Sequence, residues 1–121
     1  MRKKIIIIDD EPEMSELLKN RLQANGYEVI TAANGLEGYA RTMVHKPDLI
    51  ILDVSMPILD GYSFAKEIRT DPQCKHIPIL VFTAKAHMKE LLAIEGFHNF
   101  MIKPFNSEEL IQKVREMLTD K

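Results

Sequence analysis

Leu49-Ile50-Ile51-Leu52 is an unbroken apolar run that stops at Asp53, and no other stretch constrains the fold as strongly. Four apolar residues in succession give a strand buried on both faces, not one that alternates between core and water. Such a strand lies inside a parallel sheet that carries helices above and below. Met56-Pro57 then breaks the backbone and Asp60-Gly61 opens a new segment. An acid at the C-terminal end of a buried strand sits where open α/β sheets place their chemistry, although a lone aspartate there also serves simply to start a turn.

The rest of the chain repeats the arrangement. Residues 4–8 carry four isoleucines in a row, good strand and poor helix material, and end at Asp9-Asp10-Glu11-Pro12. Pro12 suits the first turn of a helix whose apolar face is Met14, Leu17, Leu18 and Leu22, and Asn25-Gly26 suits a left-handed cap. Residues 27–31 read as a second strand, polar enough for a sheet edge. Asn34 with Glu37 gives a capping-box start to a second helix, with Leu36, Tyr39, Ala40, Met43 and Val44 as its buried stripe and Pro47 as its stop.

A third helix is predicted over 62–69, burying Phe64, Ala65 and Ile68 and ended by Asp71-Pro72. A fourth strand follows over 77–82, with Pro78 near its start, and leads into Thr83-Ala84. Residues 88–95 form a weaker helix closed by Gly96, and 97–102 a fifth strand ending in Lys103-Pro104. Asn106 with Glu109 caps a last helix, lined by Leu110, Ile111, Val114, Met117 and Leu118. Five strands alternating with five helices imply a parallel sheet covered on both faces. Right-handed crossovers leave few topologies, and the flavodoxin-like (βα)5 order 2-1-3-4-5 is the natural one at this length. That order is the one known from other folds of this kind.

At 121 residues, 45% hydrophobic and 28% charged, the chain reads as one globular domain, 1–121, with no linker or repeat. A net charge of −2 offers no electrostatic footprint for nucleic acid or an anionic membrane, so neither is expected as a direct partner. Cys74 is alone, which fits a reducing compartment and excludes a disulfide framework. No apolar run is long enough to span a bilayer and no signal peptide is legible, so the expected location is the cytoplasm. His45, His76, His87 and His98 show no metal-ligand spacing and are read as surface or loop residues.

In a parallel sheet the strand C-termini share one edge. That edge would collect Asp9, Asp10, Asp53, Thr83 and Lys103. Three carboxylates crowded together repel one another unless a cation joins them, and a hard divalent ion such as Mg²⁺ takes one or two carboxylates, waters and a phosphate oxygen. A carboxylate beside such an ion can attack phosphorus, while a hydroxyl and an ammonium hold the remaining oxygens. Taken singly these residues have plainer uses: Asp9-Asp10 as a helix cap, Thr83 as a strand residue, Lys103 as a solvated charge, Phe100 as core. Their order at successive strand ends is what points to a site.

Asp9-Asp10, the turn Leu52-Asp53-Val54-Ser55-Met56-Pro57 with Asp60-Gly61, Thr83-Ala84 and Lys103-Pro104-Phe105 together resemble the receiver domains of bacterial two-component response regulators, over essentially the whole chain. The resemblance implies that Asp53 is the phosphoacceptor, loaded from a phosphohistidine on a sensor histidine kinase or a phosphotransfer protein. It implies Mg²⁺ held by Asp10, Asp53 and the Ser55 backbone carbonyl, with Asp9 acting through water. It gives Lys103 the phosphoryl group to bind, Thr83 the role of moving onto that group, and Phe100 that of the aromatic that turns inward. It also implies a cis Lys103–Pro104 peptide. Lys85 and Ser55 flank the pocket and are expected to tune phosphoryl lifetime.

Two features depart from the family pattern. The stretch between Thr83 and Lys103 is short, and Gly96-Phe97-His98-Asn99-Phe100 replaces an acidic segment common in receivers that dimerise through their last elements. The chain is therefore expected to be a switch that changes binding to a downstream protein, not an enzyme acting on outside substrates. Competing readings are a receiver-shaped interaction module that is never phosphorylated and a fragment of a longer regulator with an output domain. A haloacid-dehalogenase-like phosphatase needs two aspartates with one residue between them, whereas Asp9 and Asp10 are adjacent, and a flavodoxin-like nucleotide binder would not place Asp9-Asp10-Glu11 where phosphate must sit.

Overall fold

The computed structural model describes residues 2–53, 66–83, 99–103 and 106–118. Among them five strands form one parallel sheet: β1 (Lys4–Ile8), β2 (Glu28–Ala32), β3 (Leu49–Asp53), β4 (Ile79–Thr83) and β5 (Phe100–Ile102). Their order is β2-β1-β3-β4-β5, the flavodoxin-like arrangement expected. The helices α1 (Pro12–Ala24) and α2 (Gly35–His45) connect the first three strands, residues 66–70 are helical before β4, and a C-terminal helix covers Ser107–Leu118. No helix among the described residues is long and apolar enough to cross a membrane.

Alternation along the central strands divides the core. Ile6, Ile8, Ile50, Leu52, Ile79 and Val81 face one side, packed with Ile68, Cys74 and Ile77 and touched by Tyr39, Met43 and Phe100. Ile5, Ile7, Leu49, Ile51, Leu80 and Phe82 face the other, against Leu18 and Leu22 of α1 and Leu110 and Val114 of the C-terminal helix. The continuous apolar runs are thus explained: neither face of β1 or β3 meets water. Tyr39 Oη donates to Asp71 Oδ2 at 2.7 Å and pins α2 to the turn that precedes β4.

The helix ends follow local chemistry. Pro12 opens α1, and Gly26, at φ +92, turns the chain out of it. Asn34 Oδ1 accepts from Glu37 N at 2.8 Å, while Glu37 Oε1 accepts from Ala33 N. Lys46 ends α2 in the left-handed region, since Pro47 after it disfavours a further right-handed helical residue. Asn106 and Glu109 exchange both bonds of a capping box, as their spacing predicts.

Two helix faces differ from the sequence expectation. On α2, Leu36 is 82% exposed, Val44 75% exposed, and Ala40 also lies outside. The side turned to the sheet is Gly35, Gly38 and Thr42, with Tyr39 and Met43 at its margin. The reason is proximity: a Cβ on Gly38 would stand 2.6 Å from Ile8 Cδ1, so only a bare backbone fits there. On α1, Leu17 is half exposed and Ser15 is buried in its place. Strand limits also shift: β2 starts one residue later than expected, and β4 runs from Ile79 to Thr83 because Ile77 N and Cys74 O close a turn before Pro78. Asn99 lies just outside β5, although its carbonyl accepts from Val81 N at 2.9 Å. The predicted helix over 88–95, the first half (62–65) of the third helix with Phe64 and Ala65, Ser55, Lys85 and the Lys103–Pro104 peptide lie outside the described residues.

Candidate functional site

The pairing register brings the strand ends level. Ile8 lies opposite Leu52 and Asp53 opposite Phe82, while Thr83 pairs with Ile102. The residues following β1 and β5, Asp9 and Lys103, are therefore delivered to the same edge as Asp53 and Thr83. Asp9 N donates to Ala32 O and Lys103 N to Thr83 O, so the sheet's hydrogen bonding fixes the backbone under both side chains.

Asp9, Asp53 and Thr83 are at most 2% exposed. Acids are seldom buried so completely without a paired charge or a ligand. Asp53 has one: Lys103 Nζ stands 2.6 Å from its Oδ2. Asp9 is only half served. Its Oδ1 accepts from Glu11 N at 2.9 Å, whereas its buried Oδ2 has no donor among the described residues. The neighbouring Asp53 carboxylate cannot donate to it while both are ionised, so a shared proton or a cation is what the pair lacks. Burial, together with the Asp53 charge, pushes the Asp9 carboxyl up to about 6, against the Glu11 N–H and the Lys103 charge, which lower it.

Oxygens of Asp9, Glu11 and Asp53 all lie within 4.8 Å of one another. Hard oxygen donors so spaced, one of them buried and without a hydrogen-bond partner among the described residues, fit a divalent cation. Of the residues expected from the sequence, Asp9, Asp53, Thr83 and Lys103 share the edge. Asp10 is exposed and is not one of the three acids whose oxygens lie within 4.8 Å of one another. Phe100 is half-buried and packs on the α2 side of the sheet, level with Val81. Glu11 was not singled out by the sequence. The signal for it lies in Pro12, which keeps the preceding residue out of the helix and extended, at φ −101 and ψ 104.

The raised Asp9 carboxyl has a consequence for stability. The folded protein holds this proton more tightly than the unfolded chain, so the stabilisation is complete below the ordinary aspartate value of 3.8 and is lost as pH rises through about 6. Without metal, Asp9→Asn should be more stable than wild type at pH 7.5 by about 1–2 kcal/mol, with the difference vanishing near pH 4. Urea unfolding at the two pH values measures this, and an equal gain at both would contradict the assignment.

The response regulator receiver domain family matches residues 5–115. This chain belongs to that family. The receiver is 41% identical over 120 residues to the alkaline phosphatase synthesis transcriptional regulatory protein PhoP of Bacillus subtilis, covering 98% of this chain and 49% of that one. Among solved structures, chemotaxis response regulator CheY4 of Vibrio cholerae superposes with a TM-score of 0.89 at 34% identity, over 98% of this chain and 100% of that one. Response regulator TrrA of Thermotoga maritima, solved in complex with Mg²⁺-BeF, gives a TM-score of 0.84 at 40% identity, over 96% and 99%. The receiver spans about half the length of the curated regulators it matches first.

Proposed function

We propose that this receiver is a phosphorylatable switch in which Asp53 accepts a phosphoryl group from a phosphohistidine on a sensor histidine kinase or phosphotransfer protein. The observation that carries the reading is the buried Asp53 carboxylate, held at 2.6 Å by Lys103 beside an Asp9 oxygen that has no donor among the described residues. An Asp53 oxygen attacks phosphorus, the P–N bond breaks, and the imidazole leaves with the bonding pair. Mg²⁺ suits the hard donor set and, when bound, neutralises the phosphoryl oxygens. The family resemblance gives Asp10, Asp53 and the Ser55 carbonyl as its ligands, with Asp9 through water.

Lys103 supplies a fixed positive charge for the incoming group, and its backbone tie to Thr83 keeps the two residues together. Thr83 then donates its hydroxyl to the phosphoryl group. Phe100 reports that movement, because its strand pairs with the one that Thr83 ends. A half-buried ring has room to be drawn further in, and a downstream protein that binds one arrangement better shifts the balance between the two. The reaction is confined to the receiver's own phosphorylation and dephosphorylation.

The test is intact mass after incubation with acetyl phosphate and Mg²⁺. Wild type should gain one phosphoryl group, Asp53→Asn none, and EDTA added beforehand should prevent the gain. An equal adduct on Asp53→Asn would place the nucleophile elsewhere. No adduct on wild type that binds Mg²⁺ would favour a receiver-shaped interaction module.

A further inference from the structure

We propose that Glu37 and Arg41 close an open edge of the sheet, and that without this guard the chain pairs with a second copy of itself, β2 against β2. The inference is independent of the phosphoacceptor reading and uses none of its residues.

β2 is the last strand on its side of the sheet. Glu28 N donates to Lys3 O and Asp9 N to Ala32 O, so Glu28, Ile30 and Ala32 turn their backbone groups to β1. Val29 and Thr31 therefore turn theirs outward. An outward row of N–H and C=O groups is a template for another strand, which proteins blunt with charges, proline, a bulge or a covering element. β2 itself supplies little of this. It reads Glu28-Val29-Ile30-Thr31-Ala32, with one charge at its start and no proline.

The protection comes from α2. Arg41 Nη1 donates to Thr31 O, and Glu37 Oε1 accepts from Ala33 N at 2.8 Å. A further parallel strand would put one residue at this place, its N–H on the Thr31 carbonyl and its own carbonyl on the Ala33 N–H. The two side chains thus make the hydrogen bonds of one residue of an added strand. They are paired with each other at 3.3 Å, which holds both at the edge.

The edge is complementary to itself. A two-fold antiparallel pairing centred on Ile30 sets Val29 of one copy opposite Thr31 of the other, so the outward groups of both copies satisfy each other. Glu28 of each copy then faces Ala32 of the other, and no like charges meet. Arg41 blocks this pairing because it already occupies the Thr31 carbonyl.

Sedimentation equilibrium of Arg41→Ala against wild type tests this, with amide hydrogen exchange to locate the contact. Wild type should stay monomeric. Arg41→Ala should gain mass with concentration towards about twice that of the monomer, and its Val29 and Thr31 amides should exchange more slowly as it does. Arg41→Lys keeps a charged donor beside the edge and should restore the monomer in part. Arg41 is exposed and alanine favours helix, so the substitution leaves α2 intact. A role confined to helix stability would lower the urea midpoint and leave the mass unchanged, which would overturn the proposal. So would association in which the Val29 and Thr31 amides keep their wild-type exchange rates, or wild type already paired through those amides.

Discussion

Lys103→Ala should slow phosphoryl uptake from acetyl phosphate by about a hundredfold. The ammonium lies 2.6 Å from Asp53 Oδ2 in a site where Asp53 is 1% exposed, so water replaces its charge poorly. Without it the incoming phosphoryl oxygens meet Asp9, Glu11 and Asp53 with no other positive side chain shown at that edge among the described residues. Phosphoryl transfer depends chiefly on positioning and charge neutralisation, so the loss falls on rate. Lys103→Arg keeps the charge but not the compact reach, and should recover only part of the rate. Adduct formation followed by mass against time measures both variants. A wild-type rate in Lys103→Ala would remove Lys103 from the reaction and leave it a role in holding Asp53 alone.

Gly38→Val should destabilise the domain by about 2 kcal/mol. A Cβ at this position meets Ile8 Cδ1 at 2.6 Å and Ile8 Cγ1 at 2.9 Å, and Ile8 is fully buried between β2 and β3. Either α2 retreats from the sheet or Ile8 leaves its packed position. The second outcome reaches the site, because Ile8 immediately precedes Asp9. The urea midpoint should fall, and cation binding should weaken with it if Ile8 is what moves. An unchanged midpoint would mean that α2 stands further from β1 than the close approach at Gly38 indicates.

Gly38 also shows where the sequence stops being legible. The apolar runs at Ile5–Ile8 and Leu49–Leu52 identify strands buried on both sides, because nothing else tolerates such uninterrupted hydrophobicity. The caps at Asn34 and Asn106 and the stop at Pro47 are equally readable, being local chemistry. The face of α2 is not. Hydrophobic spacing nominates Leu36, Ala40 and Val44, but the distance between helix and sheet selects glycine and threonine, and that distance is a property of the packed layers. Leu17 and Ser15 on α1 repeat the lesson.

The site divides in the same way. Asp53, Thr83 and Lys103 are legible because each ends a recognisable strand, and a parallel sheet gathers strand ends at one edge. Asp9 shares that logic. Which acid of Asp9-Asp10-Glu11 faces the site is decided by the turn into α1, where Pro12 sets Glu11 extended and Glu11 N binds back to Asp9. Sequence order cannot separate three adjacent acids, and the resemblance to receivers directs attention to the first two.

The most direct measurement is the position of the phosphoryl group. Borohydride reduces an acyl phosphate to an alcohol, so a phosphorylated aspartate becomes homoserine and can be located by peptide mapping. The account predicts homoserine at position 53 and nowhere else. Homoserine at position 9 or 10, or a borohydride-resistant phosphate on Thr83, would contradict it.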